Sequence, residues 1–155
     1  MPYEHLLKAG RIKEYSAKKV EIQQLLKVAQ RDLRASTRNL DNDPEWAFSM
    51  AYNAMLQVSR GLMMNEGYRP RGGNQHATVV EFIKERLGDE FTSQSFFFDQ
   101  MRRKTNRIIY EISGLVSKRE AADALALAKE FVKKIEEIIN QQPGLDLNVS
   151  SDQIS

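Results

Sequence analysis

Apolar residues in this chain recur every three or four positions over long runs, and no stretch alternates apolar with polar side chains as a half-buried strand would. Ile22, Leu25, Leu26, Ala29, Leu33 and Leu40 form one stripe, with Lys, Gln, Arg and Asp covering the other face to about Asn39. Ala47, Ala51, Ala54, Met55, Val58 and Leu62 form a second, whose small residues let a neighbouring helix come close. Ala121, Ala124, Leu125, Ala128, Val132, Ile135 and Ile139 form a third, which ends near Gln141, ahead of Pro143 and Gly144. A helix with one apolar stripe has to bury it against other helices, and no internal repeat is present. The expected fold is therefore all-α, an up-and-down bundle of about five helices.

Punctuation between the stripes sets the helix ends. Tyr3 to Ala9 reads as a short helix closed by Gly10, with Ser16 placed to cap the next one. Asp43-Pro44 is a helix start, because Asp43 can accept from free amides and Pro44 at the first position gives up no hydrogen bond. That helix runs to about Glu66, with Trp46 and Phe48 expected to fill space near its beginning. Gly67 to Gln75, with three glycines and Pro70, is expected to be the principal loop, without regular structure. Val79, Val80, Phe82, Ile83 and Leu87 make a shorter helix closed by Gly88, and Asp89 to Thr92 lead to another over Phe96 to Glu111. Gly114 breaks the pattern, and Ser117-Lys118-Arg119-Glu120 reads as a capping box opening the last helix.

A chain of 155 residues is long enough to bury roughly 68–70% of its unfolded surface in one core. The reading is a single helical domain over 1–141, followed by a polar, flexible tail over 142–155. Zero cysteines exclude disulfides, thiolate metal sites and cysteine nucleophiles, in keeping with a reducing compartment. No signal-like segment opens the chain and no run approaches the ~20 apolar residues of a membrane span, so a soluble, cytoplasmic protein is expected. With two histidines and no H-E-x-x-H, calcium-loop or Glu-x-x-His pattern, neither a metal nor a cofactor is expected. Gly72-Gly73 lacks the Lys-Ser/Thr of a phosphate-binding P-loop, and no dinucleotide fingerprint or nucleophile elbow occurs.

The net charge of +2 is too small to draw in nucleic acid, so such affinity has to come from local clusters. Two exist. Arg69, Arg71, Gly72, Gly73 and His76 open a helix whose free amides can receive a phosphate while the guanidiniums neutralise it; an ordinary polar crossover with solvated arginines fits the same residues. The second lies between Phe96 and Glu111. At about 100° per residue, Phe98, Met101, Thr105, Ile108, Ile109 and Ile112 share one side, and Asp99, Arg102, Arg103, Asn106 and Tyr110 another. Arg102 or Arg103 can grip an RNA or nucleotide phosphate, with Asn106 and Tyr110 positioning the sugar or scissile group. A solvated face with Asp99 paired to Arg103 at i,i+4 fits the same residues and is the reading that spacing alone favours.

Trp46-Ala47-Phe48-Ser49-Met50-Ala51-Tyr52-Asn53-Ala54-Met55-Leu56, Gly67-Tyr68-Arg69-Pro70-Arg71-Gly72 with His76, and Met101-Arg102-Arg103-Lys104-Thr105-Asn106-Arg107 with Tyr110 together resemble the HEPN family of prokaryotic stand-alone type. The family name stands for higher eukaryotes and prokaryotes nucleotide-binding. The resemblance implies a helical bundle that pairs into a homodimer, with the polar motif facing a cleft between subunits. It also implies a nucleotidyltransferase protein as partner, in a toxin-antitoxin-like or nucleotidyl-transfer system. Ribonucleases of the family cleave RNA without metal, using an Arg, then Asn, Asp or His, then a His about one helical turn on. In this chain Asn106 holds the polar position, Thr105 replaces the Arg before it and Tyr110 replaces the His. Asn106 and Tyr110 are the candidate catalytic pair, and Arg102 or Arg103 the substitute cation. A phenol of pKa near ~10 replaces an imidazole poorly. Binding of nucleotide or RNA phosphate by Arg102, Arg103, Asn106, Tyr110, Arg69, Arg71 and His76 is thus the leading expectation. The alternatives are a divergent metal-independent endoribonuclease toxin and a non-catalytic structural or adaptor dimer.

Overall fold

A computed structural model describes residues 3–110 and 114–141, the side chains of Ile109 and Tyr110 excepted. The order of elements is α1 (Glu4–Lys8), β1 (Ile12–Glu14), α2 (Lys19–Asn39), α3 (Pro44–Asn65), β2 (Tyr68–Pro70), α4 (Gln75–Leu87), α5 (Thr92–Tyr110) and α6 (Lys118–Gln141). A 3-10 turn at Gly88–Phe91 joins α4 to α5. The five long helices, α2 to α6, form the expected bundle. Ile112 and the tail over 142–155 lie outside the described residues.

The bundle is built around α3, which packs against α2, α6, α4 and α5. Its start is the one the sequence specifies: the Trp46 amide donates to Asp43 Oδ1 at 3.1 Å, with Pro44 at the first helical position. Ala47, Ala51, Ala54, Val58 and Leu62 are fully buried. Gly61 lies between Leu25 and Leu26 of α2 and Ile139 of α6, so both neighbours approach the α3 backbone. Phe48 is buried, but Trp46 is 50% exposed and does not fill the core. Two positions on a helix differ by about 200°, which turns Trp46 outward when Phe48 turns in.

The stretch expected to be an irregular loop contains a strand. Tyr68–Pro70 pairs antiparallel with Ile12–Glu14, in the register Ile12 with Pro70, Lys13 with Arg69 and Glu14 with Tyr68. Pro70, lacking an N–H, is tolerated on a two-stranded ribbon that is all edge. Gly67, at φ +94°, turns the chain out of α3 into this ribbon. Tyr68 then packs edge-on to Tyr3 at 5.2 Å, and Tyr3 lies 4.6 Å from Phe82. Strands of three residues are too short to show an alternating pattern.

Three helix starts also differ from the reading of the sequence. α2 is not capped by Ser16; Glu21 receives the Lys18 amide at 3.1 Å and the Tyr15 hydroxyl at 2.5 Å. α4 starts at Gln75 and α5 at Thr92, each four residues ahead of its first apolar marker. Their first turns are mostly polar and carry no stripe. At α6, Ser117 Oγ does accept from the Glu120 amide at 3.0 Å, while the Glu120 carboxylate accepts from Lys104 at 2.6 Å. Among the described residues, no helix is long and apolar enough to cross a membrane.

Candidate anion-binding site

α5 carries its residues to three directions. Phe98, Met101 and Thr105 are buried, with Phe98 between Tyr52 of α3 at 5.8 Å and Phe131 of α6 at 5.3 Å. Arg102, one turn from Phe98, is mostly buried on the α4 side, its side chain 21% exposed. Arg103 points away, 70% exposed. Asp99 joins the two arginines: Arg102 donates from Nε at 3.1 Å and from Nη2 at 3.0 Å to Oδ1, and Arg103 donates from Nε at 3.1 Å to Oδ2. The i,i+4 pair expected from the sequence is present, and a second arginine shares its carboxylate.

His76, from the first turn of α4, packs against α3, its ring centroid 6.0 Å from that of Tyr52. The buried Tyr52 hydroxyl lies 3.2 Å from His76 Nδ1. Burial pushes the Tyr52 phenol well above its ordinary range, with Arg102 opposing and Asp99 adding to the shift. Tyr52 therefore keeps its proton, and its hydroxyl shares a hydrogen bond with Nδ1 whose direction follows the tautomer of His76. Partial burial lowers the His76 pKa from its ordinary 6.5, and the guanidiniums of Arg60 and Arg102 lower it further. His76 as a residue is largely exposed, but its ring turns inward onto Tyr52. α4 begins without a side-chain cap, behind Asn74 at φ 58°, which leaves its first amides beside the same ring.

Arg60 is held from behind by a chain of hydrogen bonds. Its Nη1 donates to Gln57 at 3.2 Å, Gln57 donates to Asn53 at 3.2 Å, and Asn53 donates to Asp32 Oδ2 at 2.5 Å. Asp32 is only 1% exposed, and Arg31 reaches its other oxygen at 3.0 and 3.1 Å. A buried carboxylate is tolerated because both oxygens are occupied. The sequence reading missed Arg60, although one signal existed: it is the only charged residue between Glu45 and Glu66. A lone charge in an apolar helix has to be held by something.

The remaining candidates are dispersed. Arg69, on β2, stacks over the Tyr15 ring at 4.8 Å, and Arg71 is at the surface with its amide bonded to the Arg11 carbonyl at 2.8 Å. Of the basic cluster at 69–76, it is His76 that feels the charge of Arg102 on α5. Asn106 is exposed, and the side chain of Tyr110 lies outside the described residues. Thr105 is 7% exposed with no partner for its hydroxyl, so the position preceding Asn106 faces the core and not the polar stripe. No group of three or more His, Cys, Asp or Glu among the described residues is arranged to hold a metal ion.

The model of the HEPN domain matches residues 22–138, which run from the first turn of α2 to the last turn of α6. The chain belongs to the HEPN family. Its bundle is the HEPN bundle, and membership supports a function related to nucleotide or RNA. No curated protein matches the chain. In this HEPN domain Arg60 of α3 and Arg102 of α5 both act on the His76 imidazole at the start of α4, and Asp99 is the counter-ion bonded to Arg102.

Proposed function

We propose that this HEPN protein binds the phosphate of a nucleotide or of RNA at the seat formed by Arg60, Arg102 and His76. The observation that carries this reading is the His76 imidazole, bonded to Tyr52 at the uncapped start of α4 and acted on by the charges of Arg60 and Arg102. Each comes from a different helix, and a guanidinium fork with neighbouring helix amides is the geometry that suits a phosphate. Asp99 holds Arg102 in place and shares it with an incoming anion, since the same carboxylate can fall back on Arg103. In this reading the protein works as a homodimer with a nucleotidyltransferase partner, in a toxin-antitoxin-like or nucleotidyl-transfer system. The exposed rings of Trp46 and Phe97 support association, being apolar surface that a second chain would cover.

The test is binding of a labelled single-stranded RNA by fluorescence anisotropy over a range of salt concentrations. Arg60→Ala with Arg102→Ala should weaken binding about tenfold or more, in line with charge-assisted hydrogen bonds. Loss of two phosphate contacts should also flatten the slope of log K against log salt by about 1.4. Affinity and slope equal to those of the unaltered protein would sink the proposal. Light scattering of the purified protein checks the dimer.

A further inference from the structure

Arg102 also lines a groove of about 590 Å³ between α4 and α5. Arg102 and Ala77 stand at the end next to His76, and Gly88, Asp89 and Thr92 of the connecting turn stand at the other. Val80, only 4% exposed, contributes apolar wall along its length. Two residues in this groove are unexplained by the bundle. Ser95 is 2% exposed and its Oγ has no hydrogen-bond partner. Burying a hydroxyl unpaired is unfavourable, and a serine turned inward from a helix gains nothing by packing that alanine would not supply. Thr105 and Ser49 are also unpartnered, but neither lines this groove. Phe96, on the adjoining position of α5, lines the same groove with 57% of its surface exposed.

The carboxylates of the groove are largely spoken for. Glu81 accepts from Arg11 and lies 3.4 Å from His5, Glu85 lies 3.6 Å from the same imidazole, and Asp99 holds Arg102 and Arg103. The groove is therefore not a vacant cation site. It offers a hydroxyl in want of a partner, an aromatic face and a cation at its open end. The volume falls in the range of small-molecule sites, and the turn at the far end limits its length.

We infer that this groove is a nucleoside subsite, which takes the sugar and base of one unpaired nucleotide whose phosphate rests on Arg102 and His76. The inference rests on the phosphate-binding reading above and deepens it. The base stacks on Phe96, the Ser95 hydroxyl bonds to a sugar hydroxyl or base edge, and the turn at Gly88 to Thr92 stops the ligand after a single nucleoside. A base held in a duplex cannot enter, because its faces are already stacked on neighbours.

Isothermal titration of the full chain with inorganic phosphate and with the four ribonucleoside monophosphates tests this. At least one monophosphate should bind about tenfold or more tightly than inorganic phosphate, the increment expected of one stacked base. Phe96→Ala should remove most of that advantage, and Ser95→Ala should lower the monophosphate affinity about fivefold. Neither should alter affinity for inorganic phosphate, and an unchanged melting temperature shows that both variants fold. The subsite is overturned if no monophosphate outbinds phosphate, or if both variants keep the full monophosphate affinity. In those cases a loss of phosphate binding in Arg102→Ala leaves the seat standing. Failure of the unaltered protein to bind either ligand overturns both.

Discussion

The two grooves flanking α5 are nearly equal in volume, about 590 Å³ toward α4 and about 600 Å³ toward α6, and they differ in chemistry. The groove toward α6 is lined by Phe97, Met101 and Leu127, and its Lys104 donates to Glu120 across the gap at 2.6 Å. The groove toward α4 contains an unpartnered serine hydroxyl and ends at the cationic seat. Arg102 and Arg103 line opposite grooves and share Asp99. Size therefore does not separate the two sides of α5. On the proposed reading hydrogen bonding does: the Lys104–Glu120 pair spans the α6 side, and the Ser95 hydroxyl on the α4 side has no partner.

The harshest way to break the comparison is to remove what both grooves share. Phe98 is fully buried between Tyr52 and Phe131, and Phe98→Ala should cost about 3–5 kcal/mol in denaturant unfolding. Because it supports Tyr52, the same change should weaken phosphate binding, whereas a stability loss with binding intact in the folded fraction would uncouple the aromatic stack from the seat.

A milder and more selective handle is pH. The folded-state pKa of His76 is below its unfolded value of 6.5, so its contribution to stability is complete above that value. It declines as pH falls through the window down to the lowered folded pKa. An anion on the seat favours the charged imidazole, so binding of phosphate should tighten over the same window in which the free protein loses stability. His76→Asn should abolish the tightening. A pH-independent affinity in the unaltered protein would show that the imidazole does not face the ligand.

The smallest effect is expected on the α6 side. Lys104 and Glu120 are 29% and 41% exposed, and a double-mutant cycle to alanine should give a coupling below about 1 kcal/mol. Neither change should alter phosphate binding. A sizeable loss of binding there would reverse the assignment of the two sides.

Local signals in the sequence were legible where the partner lies within one helical turn. Asp43 caps α3, Ser117 caps α6 and Asp99 pairs with Arg103, all at separations of three or four residues. The β1–β2 ribbon was not legible, because Ile12 pairs with Pro70 and three-residue strands leave no period to detect. The grouping of Arg102 with Arg103 on one face was too coarse, since about 100° of helix rotation suffices to send neighbours to different grooves. Arg60, Tyr52 and Ser95 were missed because their importance lies in what stands opposite them, on other helices.

By itself the sequence determined the helices, most of their ends and the stripe that each must bury, since these follow from contacts among residues close along the chain. It also carried enough of the family's pattern for the HEPN bundle to be recognised. Only the tertiary structure decided which cations act on one another. Placing His76 against Tyr52, under the influence of Arg60 and Arg102, depends on the packing of α3, α4 and α5, and so does leaving Ser95 unpaired in the groove between two of them. Desolvation and charge proximity are properties of that packing, and no spacing along one helix encodes them.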